Sequence, residues 1–67
     1  GYRMKVKVEN INVLMAKNIM NPYELCAKAG VSYQTCRNLF KRGTCKPATA
    51  GRIAKALGVD VTEIIEQ

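Results

Sequence analysis

Sixty-seven residues, 48% apolar and 24% charged, make one small globular domain and exclude a disordered tail. No apolar run reaches the roughly 18 residues of a membrane span, and Ile11 to Met20 is broken by Asn12, Lys17 and Asn18, so no membrane association and no secretory leader are expected and the expected location is cytoplasmic. The formal charge of +6 is unevenly placed: no Asp or Glu occurs between Leu25 and Val59, where Lys28, Arg37, Lys41, Arg42, Lys46, Arg52 and Lys55 all fall, which fits a polyanionic partner or else a solvated basic face.

The chain opens with alternation. Met4, Val6 and Val8 share one face of Tyr2 to Glu9, and Arg3, Lys5, Lys7 and Glu9 the other, which is strand periodicity. Residues 1–10 therefore read as an N-terminal strand or arm, with Met4 a candidate native start and residues 1–3 a candidate cloning leftover. A lone strand has no ladder, so it must pair or remain an extended arm. From Ile11 the period becomes helical: Ile11, Leu14, Met15 and Ile19 fall on one face, with Asn10 as cap. Asn21-Pro22 ends that helix and starts the next, since asparagine caps, proline suits the first turn, and Glu24 is spaced for a capping box.

Leu25, Cys26 and Ala29 give the second helix a buried edge, and Gly30 can take the positive φ that stops it. Ser32 caps a third helix, residues 32–41, with Cys36, Leu39 and Phe40 inward. Thr44-Cys45-Lys46 reads as a loop. Pro47 opens a fourth helix that runs to Leu57 with Ala50, Ile53, Ala54 and Leu57 inward; Gly51 inside it reads as a close-packing site or a simple propensity cost of about 1 kcal/mol. Asp60-Val61-Thr62-Glu63 has capping-box spacing and predicts a fifth helix, with Val61, Ile64 and Ile65 closing the core.

Little in this chain can do chemistry. It has no histidine, no paired carboxylates and no phosphate-cradling glycine loop, so no enzyme activity is expected. Three cysteines without a C-x-x-C pair give no metal site, and no cofactor is expected. Cys26 and Cys36, at apolar helix positions, read as free thiols acting as small hydrophobes, and Cys45 as an exposed loop residue. The odd count in a reducing compartment argues against a disulfide framework.

Two short helices joined at Gly30-Val31 form a helix-turn-helix. With Cys36, Leu39 and Phe40 inward, the second presents Tyr33, Gln34, Arg37, Asn38 and Lys41. A stabilising surface would mix Glu with Lys. This one carries two amides, a phenol and two cations, groups that contact base edges and phosphates in a major groove. The alternative is a merely polar helix face.

"ELCAKAGVSYQT" and "KPATAGRIAKALGVDVTEII" together resemble the phage Cro/repressor-type, XRE-like helix-turn-helix family, and the likeness spans Ile11 to Ile65. The resemblance implies an all-α, five-helix, lambda-repressor-like domain over residues 11–67 that binds operator DNA as a transcriptional regulator, a repressor in the main reading. Double-stranded DNA is then the partner, with a homodimer formed at least on DNA and no small-molecule effector. It implies base contacts from Tyr33, Gln34, Arg37 and Asn38, and backbone contacts from Asn21, Tyr23, Ser32, Thr35, Lys41, Arg42, Thr44 and Lys46. Two departures stand out. Pro22 replaces a glutamine found in many members, which shifts phosphate anchoring toward Tyr23. Gly43 falls one residue late, which predicts a longer following loop. The alternative function is a helix-turn-helix-fold protein-interaction module, such as an antitoxin-like or mobile-element accessory factor. Protomers are expected to join through the last helix or through pairing of the Met4 to Val8 strand with its twin; a third option makes that strand a basic arm along the DNA.

Overall fold

In a computed structural model, which describes residues 2–67, the elements run β1 (Met4–Lys5), α1 (Val8–Lys17), α2 (Pro22–Ala29), α3 (Tyr33–Arg42), β2 (Thr44–Cys45) and α4 (Pro47–Leu57), followed by a single 3-10 turn at Val61–Glu63. The described residues thus hold four α-helices where five were expected. The fifth is cut short because the chain leaves the turn to pair with the N-terminal segment, where the Ile64 carbonyl accepts from the Lys7 amide (2.7 Å). Asp60 accepts hydrogen bonds from the Thr62 amide (3.0 Å) and the Thr62 hydroxyl, and Ile65 forms a bridge with Val6.

Strand β1 is no free arm. It runs antiparallel to β2, Met4 opposite Cys45 and Lys5 opposite Thr44, so the expected loop after α3 is the second strand of a ribbon. The Val6 amide donates to the Gly43 carbonyl (2.9 Å). On the other side, the Lys7 amide donates to the Ile64 carbonyl (2.7 Å) and the Glu66 amide to the Lys5 carbonyl (3.0 Å). Both edges are occupied from within the chain, which closes the expected route to a dimer through a twin strand. Of the other expected contact, the last helix, Ile64 and Ile65 are buried in the same core and Val61 is half-buried against it, which leaves little apolar surface.

Helix α1 starts earlier than its predicted cap. Val8 is already helical, Lys7 is the N-cap residue, and Asn10 uses its amide to donate to the Glu63 carbonyl (3.0 Å). At its other end the helix closes at Asn18 in a Schellman arrangement. The Met20 amide donates to the Met15 carbonyl (2.9 Å) and the Ile19 amide to the Ala16 carbonyl (3.2 Å). This puts Ile19 at φ 54° and leaves it 89% exposed, whereas its periodicity predicts burial; Met20 packs against the core instead.

The core is a single cluster whose centre is Ile11, Leu25, Leu39, Ile53 and Ile64, with the predicted inner edge of α4, Ala50, Ile53, Ala54 and Leu57, all buried. No polar or charged side chain is buried among the described residues. Gly51 is not a close-packing site: a Cβ built there meets nothing within 4 Å. The cysteines also differ from expectation. Cys26 and Cys36 form a disulfide, because the crossing of α2 and α3 brings their Cα atoms to 6.2 Å, within bridging distance. Cys45 is a free thiol but buried, since strand pairing turns it inward opposite Met4.

Candidate nucleic-acid interface

Local chemistry fixes the two helices of the motif. The Asn21 side chain accepts from the Glu24 amide (2.8 Å) while the Glu24 carboxylate accepts from the Asn21 amide (3.0 Å), a complete capping box ahead of Pro22. Helix α2 stops at Gly30, whose φ of 71° is left-handed, and the Val31 amide returns to the Cys26 carbonyl (3.0 Å). Ser32 then caps α3. Its Oγ accepts from the Thr35 amide (3.2 Å) and donates to the Thr35 hydroxyl (2.9 Å).

Helix α3 buries Cys36 and Leu39 and half-buries Phe40. Tyr33, Gln34, Arg37, Lys41 and Arg42 are exposed, and Asn38 is half-buried beside them. The predicted base-reading residues therefore lie together on one acid-free surface. The Gln34 amide donates to Asn38 Oδ1 (3.4 Å), one helical turn on, a bond that uses neither Gln34 Oε1, an acceptor, nor Asn38 Nδ2, a donor.

Tyr33 is not isolated. Its ring stacks on Tyr23 of α2 at 4.6 Å and 9° between planes, its hydroxyl donates to the Tyr23 hydroxyl (3.0 Å), and the Arg37 guanidinium lies 6.0 Å from its centroid. The hydrogen bond to Tyr23, helped by loss of solvent, pushes the Tyr33 phenol above its ordinary pKa, against the pull of Arg37. The stack couples a predicted backbone contact, Tyr23, to a predicted base contact. Helical spacing alone gave no sign of it, because the two rings belong to different helices.

The predicted backbone contacts separate into two groups. Tyr23, Lys41, Arg42 and Lys46 are exposed and extend the surface to either side of α3. Asn21, Ser32 and Thr35 already use side-chain atoms in caps, and the Thr44 hydroxyl accepts from Arg3 Nε (3.2 Å) while the Thr44 carbonyl accepts from Arg3 Nη2 (3.2 Å). Thr49 is not among the predicted contacts, and Arg3 enters only through the basic-arm option, with Lys5 and Lys7. With Thr35, Asn38 and Lys46, Arg3 and Thr49 line a cleft of about 240 Å³ beside α3. The alternation placed Arg3 on the outward side of the strand; only the β1–β2 register brings it to α3. The segment between α3 and α4, expected as a longer loop, consists of Gly43 (φ 69°), the two residues of β2, and Lys46 as N-cap residue of α4.

Among the described residues no group of His, Cys, Asp or Glu is placed to hold a metal ion, and no helix is long and apolar enough to cross a membrane. No curated protein and no solved structure matches the chain. The family model for the Cro/C1-type HTH DNA-binding domain matches residues 10–67. With its capped helix pair, left-handed glycine turn and basic second helix, the chain belongs to the Cro/C1-type helix-turn-helix family of DNA-binding domains.

Proposed function

We propose that this protein is a sequence-specific transcriptional regulator, acting as a repressor, that lays α3 in the major groove of double-stranded DNA. Gln34, Arg37 and Asn38 read base edges: the amides suit adenine and the guanidinium suits guanine. Tyr33, backed by Tyr23, offers its ring edge to a thymine methyl group. Lys41, Arg42 and Lys46 grip phosphates on one side, with Thr44 beside them, and Tyr23 grips them on the other, near Asn21, Ser32 and Thr35. Residues 11–67 do the binding, and residues 1–10 act as a buttress.

The observation that carries this reading is the outward face of α3, where four hydrogen-bonding side chains stand without an acid among them. A unit this small reads few base pairs, so two copies on half-sites about one DNA turn apart would supply specificity. Since the N-terminal strand and the last turn are committed within the chain, the contact between copies falls on another surface. Val13 of α1, 54% exposed, is the side chain we assign to it. Control would come from expression level or a partner, with no small-molecule effector.

Selection from a random duplex library at stated salt tests the proposal. The expected result is a two-fold symmetric consensus; recovery of unenriched sequences at all salt concentrations would overturn it.

A further inference from the structure

The Cys26–Cys36 bridge ties together the two helices of the recognition unit, and the proposed DNA contacts make no use of it. Both residues are almost fully enclosed, at 3% and 1% exposure. Cys36, however, lines a cleft of about 350 Å³ together with Pro22, Tyr33, Arg37, Phe40 and Lys41. The cleft has apolar walls, two cationic side chains and no acid. A small thiol can enter such a space, and an anionic one is drawn to it. Arg37 and Lys41 at its rim attract an incoming thiolate, the form that performs exchange.

We propose that Cys26–Cys36 is a reversible thiol–disulfide modification site, reached through this cleft by an anionic low-molecular-weight thiol, and that its state sets how well α3 is held for DNA. The second half of the proposal rests on the DNA-binding reading; the first does not. In the forward direction the small thiolate attacks Cys36 Sγ. A mixed disulfide forms there, the Cys26–Cys36 bond breaks, and its electron pair leaves on Cys26, which takes a proton from water. A second small thiolate attacks the outer sulfur of the mixed disulfide. It departs as the small-molecule disulfide, and Cys36 is left as a thiolate that is protonated in turn. Two small thiols are oxidised and the bridge is reduced by the same two electrons. A small-molecule disulfide drives the reverse.

Reduction removes the covalent tie between α2 and α3 and leaves two buried thiols in its place. The face made by Tyr23 on α2 and Tyr33, Gln34 and Arg37 on α3 is then less preorganised, and part of the binding energy must go to ordering it.

The full chain should be equilibrated in glutathione buffers of graded redox ratio, acid-quenched, denatured and alkylated. One alkylated thiol, Cys45, is expected at the oxidised end and three at the reduced end. Glutathione should reduce the native protein about threefold or more faster than neutral 2-mercaptoethanol at matched thiolate concentration, by electrostatic attraction. Arg37→Gln/Lys41→Gln should abolish that preference. A native protein that keeps its bridge in reduced glutathione would overturn the modification site, and an unchanged preference in the double variant would overturn the cleft as its route.

Both forms are then titrated onto one selected duplex. The reduced form and Cys26→Ala/Cys36→Ala should each bind about tenfold more weakly than the oxidised form, from lost preorganisation. If reduction melts the chain, affinity falls further and the switch stands in its strongest form. Equal affinities would overturn the switch while leaving the modification site in place. Failure of every form to bind any duplex at low salt would sink the DNA reading and the switch with it, and the thiol count would still decide the site.

Discussion

Tyr33 uses two parts of one side chain. Its ring stacks on Tyr23 and its hydroxyl donates to the Tyr23 hydroxyl, while the residue stays exposed at the start of the outward face of α3. The hydrogen bond holds the proton on Tyr33, so its folded pKa lies above the ordinary phenol value of about 10. The sign follows: this contribution to stability is complete below that value and is lost as pH climbs through the raised pKa. In Tyr23→Phe the phenol of Tyr33 should ionise at lower pH, which ultraviolet titration of the tyrosinate band would detect; an unmoved titration would mean the two hydroxyls do not interact in solution. On the same face, Gln34→Ala should change which sequence is preferred, with about 1–3 kcal/mol of discrimination lost at one base pair. Lys41→Ala should weaken all duplexes alike and lower the salt slope by about 0.9. Competition titrations on matched and mismatched duplexes separate the two behaviours. The outward set of α3 was legible because helical spacing and an acid-free run need no tertiary information. The partner of Tyr33 was not, because it lies ten residues back on another helix.

At the scale of elements, the caps of α2 and α3 were the most legible feature and helix length the least, while Asn10 caps nothing and Asp60 caps only a single turn. Asn21, Pro22, Glu24, Gly30 and Ser32 behave as their residue types require, since each acts on backbone within a few positions. Ile19 shows the limit. Its spacing continues the apolar stripe of α1, but the helix has already closed at Asn18, and the left-handed site falls to a β-branched residue. That geometry costs roughly 1–2 kcal/mol outside glycine and asparagine. Being 89% exposed, Ile19 repays little of the cost by packing. Ile19→Gly should therefore raise stability by about 1 kcal/mol, or several degrees in Tm for a chain of this size. A fall in thermal melting temperature would show that the side chain makes a contact elsewhere. The bridge between α2 and α3 makes a second prediction at this scale. It closes a loop with a sequence separation of 10, and loops of this length stabilise by about 2–3 kcal/mol, so reduction should lower Tm by about 10–20 °C. Apolar patterning placed both cysteines inward, but only the distance between the helices pairs them.

For the whole molecule, charge distribution decides more than net charge. If about five cations meet phosphates, log K for random duplex should fall with log salt at a slope near −4 to −5, from about −0.9 per contact. A flat dependence would favour the protein-binding alternative. Val13→Glu should leave binding to a single half-site unchanged and weaken binding to a paired site, as seen by gel shift on the two duplexes; equal effects would place the contact between copies elsewhere. The order of the first four helices and the position of the helix-turn-helix were legible because each step is local. The N-terminal segment was legible only as alternation. Its partners, Thr44–Cys45 and Ile65, lie about forty and sixty positions away, and no local rule connects them.

That threading has a temporal consequence. Because β1 is clasped between the segment after α3 and the backbone around Ile65 and Glu66, a nascent polypeptide on the ribosome cannot finish this clasp until Glu66 has cleared the exit tunnel. Helices α2 and α3 can form and touch well before then, so the helix-turn-helix emerges early as a loosely held pair and is locked only once the Ile64–Glu66 stretch has followed it.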